Sequence, residues 1–362
     1  MTDLATARTL HVVAPESLRA WFRHFVQNGA GTDILHIGTD PSVPAAVIVA
    51  RMRETGATLA VFHSSHETLL RDCALAAMLR SLGYAVLAQS AFAARLGVDK
   101  FRMRSFLQRS GLSSLPWWLP GDVAAATPPE ATVVVKARSG TQSAGIRLAT
   151  LRTAAPSDGE FCELYADGTE YSVMVYRDDA GDATLPPVWK GTVSRDLVPP
   201  WRRLRLCPAP AQDHELDETL RARGLRTAVA ARSAGWVEVE FLVTAAGTPH
   251  VLEINPRVAG TMRIASLAAG VLPFGMHRTP AIRGHLAAVR YAAEVPHDGP
   301  AVIDPVRSIY STSRLTLAAH SYRDLAATLS EVTGGPADAA LARLAASEDR
   351  AGPAVASAAS QR

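Results

Sequence analysis

Residues 237–263 read VEVEFLVTAAGTPHVLEINPRVAGTMR, and this stretch decides the fold. Apolar and polar residues alternate on both sides of Ala245-Ala246-Gly247-Thr248, the pattern of two short strands joined by a turn. Side chains two apart on a strand lie on one face. Glu238 therefore shares a face with Glu240, and Glu253 with Asn255 and Arg257. If the strands pair, carboxylates, an amide and a guanidinium converge. Hard oxygen donors at that density suit Mg²⁺, which is commonly held by one or two carboxylates plus substrate phosphates. Arg257 adds a planar cation for a phosphate or carboxylate oxygen. The competing reading is an exposed hairpin with a salt-bridged face, which needs no ligand.

Working outward, Val133-Val-Val-Lys136 reads as a strand that ends in a lysine and opens into Ser139-Gly140-Thr-Gln-Ser143-Ala-Gly145. A loop of small residues lets backbone N–H groups approach phosphate oxygens. Gly140 and Gly145 would let it move as a lid over a nucleotide. A lysine paired with a buried carboxylate, beside a plain hinge, is the alternative. Further on, Glu163-Leu-Tyr165 and Gly168-Thr-Glu170-Tyr-Ser-Val read as strand segments flanking a turn. Upstream, Asp99-Lys100 opens a helical run to Arg109 that Gly111 ends. Lys100 is either a phosphate contact or an exposed helix-start lysine, and Glu170 is either a ligand or a surface charge.

Before residue 96 the chain alternates strand and helix. Strands are expected at Leu10–Ala14, Asp33–Ile37, Thr58–Phe62 and Tyr84–Leu87, with helices at Pro15–Gln27, Val43–Glu54 and Glu67–Leu82. Such alternation predicts a parallel sheet with right-handed crossovers. The first strand lacks a G-x-G-x-x-G turn, which disfavours a nicotinamide cofactor. His63-Ser-Ser-His66 follows the third strand, where ligands of parallel sheets sit, but Ser64 or Ser65 would also cap the next helix.

At 362 residues and 48% hydrophobic content, two or three packed units are expected. A net charge of +3 and 6% aromatics give no case for nucleic acid, and Trp201–Arg205 is only a short basic cluster. Asp178–Asp182 reads as a solvated acidic hairpin tip. The three scattered cysteines, Cys73, Cys162 and Cys207, suggest a reducing compartment and core packing rather than disulfides. The N-terminus reads without a signal segment, and no apolar run reaches the roughly 18 residues of a membrane span. A cytoplasmic protein with no membrane partner is the expectation.

Taken in order from about Leu96 to Val271, these segments resemble the ATP-grasp superfamily of carboxylate-activating ligases. E-I-N-P-R-V-A-G-T-M looks nearer to its carbamoyl-phosphate-synthetase-like branch than to the D-alanine ligase branch. The resemblance implies an ATP-grasp fold of mixed α/β and α+β class. Its parts are an N-terminal parallel α/β domain (1–95), a first ATP-grasp part with a small lid domain (96–182) and a second part with the metal-binding sheet (183–275). A C-terminal extension (276–333) and an Ala-rich, partly disordered tail (334–362) follow. It implies ATP and Mg²⁺ (or Mn²⁺), with Glu240, Glu253 and Asn255 as metal ligands and Arg257 as the catalytic residue at the reacting phosphate. The nucleotide would meet Lys100, Lys136, Ser139, Gly140, Ser143 and Gly145. The Glu163 and Tyr165 edge would read adenine with backbone groups, and Glu170 would meet the ribose. The implied reaction joins a small carboxylate to an amine through an acyl phosphate. The partners are those two small molecules, and a homodimer is the assembly considered. Arg195, Arg257, Arg263 and Thr261 are candidates for holding a substrate carboxylate. Two rivals stand beside this reading: an enzyme acting on bicarbonate, disfavoured by the lack of a biotin-carrier segment or glutaminase domain, and a catalytically silent nucleotide-binding protein.

Overall fold

The structure, a computed structural model, describes residues 7–14, 18, 32–122, 127–140, 145–199, 202–210, 214–279, 281–296, 307–311, 314–333 and 339–351. The N-terminal unit is a four-stranded sheet in the order β2-β1-β3-β4, parallel throughout. Its strands are β1 (Thr9–Val13), β2 (Thr32–His36), β3 (Leu59–His63) and β4 (Ala85–Leu87). Helices α1 (Ala45–Thr55) and α2 (Leu69–Ser81) pack Ile48, Met52, Leu75 and Leu79 against Leu10, Val12 and Ala60. The helix expected over Pro15–Gln27 lies outside the described residues, apart from Leu18. Neither Ser64 nor Ser65 caps α2. The helix starts at Leu69 behind Thr68, whose hydroxyl accepts from the Ser65 N–H at 2.9 Å and donates to Asp72 at 2.9 Å.

Two short helices follow. α3 (Ala91–Val98) is capped by Ser90, and α4 (Lys100–Arg109) by the Asp99 carboxylate, which accepts from the N–H groups of Phe101 and Arg102. Gly97 faces Pro256. A Cβ there would sit 2.5 Å from the proline ring, so only glycine lets α3 approach the loop that carries Arg257.

A second, antiparallel sheet has the order β5-β8-β6-β7, from β5 (Trp117–Trp118), β6 (Thr132–Ala137), β7 (Arg147–Thr150) and β8 (Glu160–Leu164). The strand-rich run to Val175 does not all belong to it. β9 (Gly168–Asp178) leaves this sheet and enters the large one, where it pairs along its whole length with β13 (Gly235–Thr244). The large sheet also holds β10 (Gly181–Thr184), β11 (Val188–Thr192), β12 (Arg205–Cys207), β14 (Pro249–Asn255), β15 (Gly284–His285), β16 (Tyr291–Pro296), β17 (Arg307–Ser311) and β18 (Arg314–Ala319). Its main path runs β14-β13-β9-β11-β12-β16-β18-β17. Because β12 pairs with β16, the chain after residue 275 continues this sheet instead of forming an appendage.

Alternation places β9 and β13 between two cores. Tyr171, Val173 and Val175 join Val237, Val239 and Phe241 against α5 (His214–Ala230) on one side. Met174, Tyr176 and Trp236 face α6 (Thr261–Ala269) and the N-terminal sheet on the other. A strand buried on both faces reads as an apolar run, and such runs occupy Val173–Tyr176 of β9 and Phe241–Val243 of β13. The β9–β10 tip is not simply solvated: Asp178 is buried and holds the Arg283 guanidinium at 3.0 and 3.2 Å. At the far end α7 (Tyr322–Thr333) covers β16 and β18, and α8 (Ala339–Ala351) inserts the fully buried Leu341 beside Leu325 and Leu329. The Ala-rich stretch is thus helical over 339–351. Cys73, Cys162 and Cys207 are unpaired, and burial pushes the Cys73 thiol up to about 11. Among the described residues no helix is long and apolar enough to cross a membrane.

Candidate active site

The hairpin places its acids as its alternation predicts. β13 and β14 pair antiparallel with Glu238 opposite Asn255 and Glu240 opposite Glu253, and a bulge follows Glu240. Directly opposed residues project to one face. The Asn255 amide donates to Glu238 at 3.0 Å and to Glu240 at 3.5 Å. Thr261, at the start of α6, donates to the other Glu238 oxygen. Lys190 on β11 spans β9 to place its Nζ 2.8 Å from Glu240. Lys100, the first residue of α4, reaches Glu253 at 3.4 Å.

β14 ends at Asn255, so Arg257 reaches this face from a loop and not from the strand. A tight turn, with the Arg257 N–H on the Asn255 carbonyl at 2.7 Å, directs it. Its guanidinium then donates to Asn255 Oδ1 at 3.3 Å and to the Val258 carbonyl at 3.4 Å.

Charge is unevenly shared here. Burial raises the Glu240 carboxyl to about 8, with Glu238 and Glu253 adding to the rise and Lys190 opposing it. Burial also acts against Glu253, but Lys100, Arg257, Lys136 and Lys190 outweigh it and hold that carboxyl low. Glu238 is held low against burial by Lys190, by the Thr261 hydroxyl and by Arg257. Among the described residues no three His, Cys, Asp or Glu side chains stand close enough to hold an ion in this arrangement, since Glu240 and Glu253 are turned to lysines.

A cleft between the small and large sheets adjoins this face. It is partly open to solvent. Val134, Ile146, Leu164, Leu242 and Leu252 give it apolar walls, and Lys136, Glu163, Glu170 and Arg203 give it charge. Glu170 pairs with Arg203. Tyr165 donates its N–H to the Thr132 carbonyl at 3.0 Å and lies under the Arg195 guanidinium, 5.5 Å from the ring centre.

The Glu163 side chain is engaged as well as its backbone. It is 1% exposed and pairs with both Lys136 and Arg104. Arg104, equally buried, also donates to the carbonyls of Val251 and Leu252 at 2.8 Å, tying α4 and the small sheet to the hairpin.

The structure therefore brings Lys100, Glu240, Glu253, Asn255 and Arg257 together, and sets Lys136, Glu163, Tyr165 and Glu170 around the adjoining cleft. Ser139, Gly140 and Gly145 are exposed; the two glycines have φ of +122° and +72°. Ser143 lies outside the described residues. Of the substrate-carboxylate candidates, Arg195 is stacked on Tyr165, Arg263 is buried against Glu294, and Thr261 serves Glu238. Arg263 and Thr261 are thus engaged by the protein's own carboxylates, while Arg195 is exposed. Two residues escaped the sequence reading. Lys190 and Arg104 carry no motif, although a cation inside an apolar strand (Val188-Trp-Lys-Gly-Thr) and one on the buried side of a helix are signals of a buried partner.

No family model matches the chain. A carbamoyl-phosphate synthase of Methanobrevibacter smithii is 24% identical over 243 residues, covering 62% of this chain and 65% of that protein. The match thus spans just under two thirds of that relative's length. Among solved structures, a biotin carboxylase from Campylobacter jejuni in complex with β,γ-ATP superposes with a TM-score of 0.66 at 15% identity, covering 92% of each chain. An L-amino acid ligase from Bacillus licheniformis gives 0.64 at 15% identity over 89% of this chain and 96% of that one. With the parallel N-terminal sheet, the small antiparallel sheet and the acid-faced hairpin of the large sheet, these likenesses define the fold. The chain has the ATP-grasp architecture.

Proposed function

We propose that this chain is an ATP- and Mg²⁺-dependent ligase that activates a small carboxylate as its acyl phosphate and joins it to an amine. The observation that carries the reading is the β13–β14 register, which opposes Glu240 to Glu253 and Glu238 to Asn255 with Arg257 at the end of the same face. Glu238, Glu240, Glu253 and Asn255 share one hairpin face and supply hard oxygen donors, and a divalent cation would take Glu240 and Glu253 over from Lys190 and Lys100. Burial foremost, and its acidic neighbours, raise the Glu240 carboxyl to about 8. A bound cation favours the charged form of such a carboxyl. Glu240, Glu253 and Asn255 would hold the Mg²⁺ (or Mn²⁺). The metal would neutralise charge on the phosphate oxygens.

The chain's own residues supply the rest. Lys136 and Glu170 line the cleft, and they would meet the nucleotide phosphates and the ribose, with the apolar walls taking the base. Arg257 would hold the γ-phosphate and the incoming carboxylate together, which a planar guanidinium can do and an ammonium cannot. A carboxylate oxygen attacks the γ-phosphorus and ADP leaves. The neutral amine then attacks the acyl carbon, phosphate departs, and the amine proton passes to solvent. Positioning and charge neutralisation carry most of such a transfer, so no general base is needed for the first step.

ADP release with and without pooled amino acids tests this. Substrate-dependent release supports the ligase. The likeness to a biotin carboxylase and to a carbamoyl-phosphate synthase favours bicarbonate as the second reading, and release driven by bicarbonate alone would establish it instead. Tight nucleotide binding with no release under either condition would mark a silent nucleotide-binding protein.

A further inference from the structure

The acid face of the β13–β14 hairpin is matched by the chain's own cations. Its three carboxylates are Glu238, Glu240 and Glu253. Against them stand Lys190 at 2.8 Å from Glu240, Lys100 at 3.4 Å from Glu253, and Arg257, whose charge acts on Glu238 and Glu253. Three acidic groups thus meet three basic ones. These residues carry no net negative charge, and a proton on Glu240 makes the face more positive, not less. A bare divalent cation gains little from such a face.

The two lysines hold their acids differently. Lys100 is 19% exposed, so water can solvate its ammonium when a metal takes Glu253. Lys190 is only 2% exposed. It lies on β11 and reaches Glu240 across β9, where the residue opposite Glu240 is Ser172, a short side chain. Among the described residues its one ion-pair partner is Glu240. Glu238 also feels its charge, but the two Glu238 oxygens already accept from Asn255 and Thr261. A metal that takes Glu240 therefore leaves a buried ammonium with neither an anion nor water, which is costly. Phosphate oxygens of a nucleotide in the adjoining cleft are anions that can remove that cost.

We infer that Lys190 makes metal binding at this face conditional on the nucleotide: it holds Glu240 until phosphate oxygens arrive, then turns to them as the metal enters. The inference rests on the metal site of the proposed ligase, to which it adds a positioning residue and a dependence of metal on nucleotide. Linkage is reciprocal, so the same lysine makes the metal tighten nucleotide binding.

The test measures Mn²⁺ retained by the full chain in equilibrium dialysis, alone and with a non-hydrolysable ATP analogue. Far-UV circular dichroism certifies that each variant is folded. Without the analogue, Lys190→Met should hold Mn²⁺ at least about tenfold more tightly than the parent, whereas Lys190→Arg, which keeps the charge, should match the parent. Mn²⁺ alone should also raise the thermal midpoint of Lys190→Met and leave that of the parent unmoved, because the ion takes the place of the missing ammonium. A Lys190→Met chain that folds only when Mn²⁺ is present supports the inference in the same way. The double variant Lys190→Met/Glu240→Gln should show neither gain. A folded Lys190→Met that binds Mn²⁺ no more tightly than the parent overturns the inference and leaves Lys190 a structural counter-ion. So does a parent that retains Mn²⁺ without the analogue to within about tenfold of its retention with it, whatever the variants do. Failure of the underlying reading looks different. Mn²⁺ retained by no form of the chain, with or without the analogue, removes the metal site itself. Lys190-dependent Mn²⁺ binding with no acid-dependent ADP release keeps the inference and removes the ligase.

Discussion

Glu240 and Glu253 face each other across one hairpin, yet the protein treats them differently. Glu240 has Lys190 beside it, but burial still dominates and raises its carboxyl; Glu253, which is 28% exposed, is held low by Lys100 and Arg257. In the proposed ligase Glu253 is thus the ready anion of the pair. Glu253→Gln should reduce acid-dependent ADP release by about 100-fold or more, the scale of losing a preorganised charge contact, while the thermal midpoint moves little. Turnover within a few-fold of the parent would rule out that role. Glu163 offers the opposite contrast. Its carboxylate lies between Lys136 and Arg104. Removing it leaves two buried or half-buried cations, so Glu163→Gln should cost about 3–5 kcal/mol in denaturant unfolding. A loss below about 1 kcal/mol would mean that Lys136 and Arg104 do not depend on Glu163.

At the scale of elements, β1, β3 and the 273–278 turn bring three imidazoles into one buried group. His11 and His63 stack at 5.2 Å between ring centres, and His277 packs edge-on to His11 at 5.7 Å. Burial lowers His11 to about 3 and His277 to about 4, and lowers His63 well below the ordinary value of 6.5; neighbouring imidazoles and Arg278 add to the effect. The sign follows directly. Below pH 6.5 the unfolded chain takes up protons that the folded one refuses, so stability is full above about 6.5 and falls as pH drops toward 4. Each histidine contributes up to about 1.4 kcal/mol per pH unit, or about 2 kcal/mol between pH 6.5 and 5. Urea midpoints should therefore fall steeply over that interval, and less steeply in His11→Leu. Parallel pH profiles for parent and variant would show that the group does not stay neutral in the fold.

At the scale of the molecule, Glu294 joins parts of the chain that are far apart in sequence. Arg205 on β12 reaches it at 3.0 Å, Arg314 and Thr316 on β18 at 2.6 and 2.9 Å, and Arg263 arrives from α6. Burial alone would raise this carboxyl, but Arg263, Arg314 and Arg205 overcome it and hold it near 2. Its contribution is present above the ordinary 4.5 and lost as pH falls from there toward 2, below the range in which the histidines act. Glu294→Gln leaves three buried guanidinium groups around a neutral amide. It should destabilise the protein by about 3–5 kcal/mol at pH 7, read as a lower denaturant midpoint with an unchanged slope. A changed slope with little loss of stability would mean that the C-terminal strands unfold separately.

Local pattern was enough for much of this architecture. The alternation on either side of Ala245–Thr248 specified the hairpin and the shared face of Glu238 and Glu240, because a strand's side-chain period is fixed by its backbone. Strand–helix alternation likewise specified the parallel N-terminal sheet, and Asp99 with Gly111 marked the two ends of α4. Other features depend on which distant segments pair. β9 is a strand by its own sequence, but its place in the large sheet is decided by ten residue pairs with β13, some 65 residues away. Lys190, Arg104 and Glu294 are single charged residues without a motif. Their roles come from partners that only folding brings near, and a buried charge is defined by what surrounds it. Arg257 combines the two levels. Its spacing from Asn255 suggested a strand position, but the strand stops at Asn255, and a turn braced against Gly97 of α3 directs the guanidinium instead. Where a strand persists, the sequence by itself determined the face of its polar residues, as at Glu238, Glu240, Glu253 and Asn255, since that follows from backbone periodicity. The tertiary structure alone decided the charge partners, because ion pairing and burial are properties of three-dimensional neighbours.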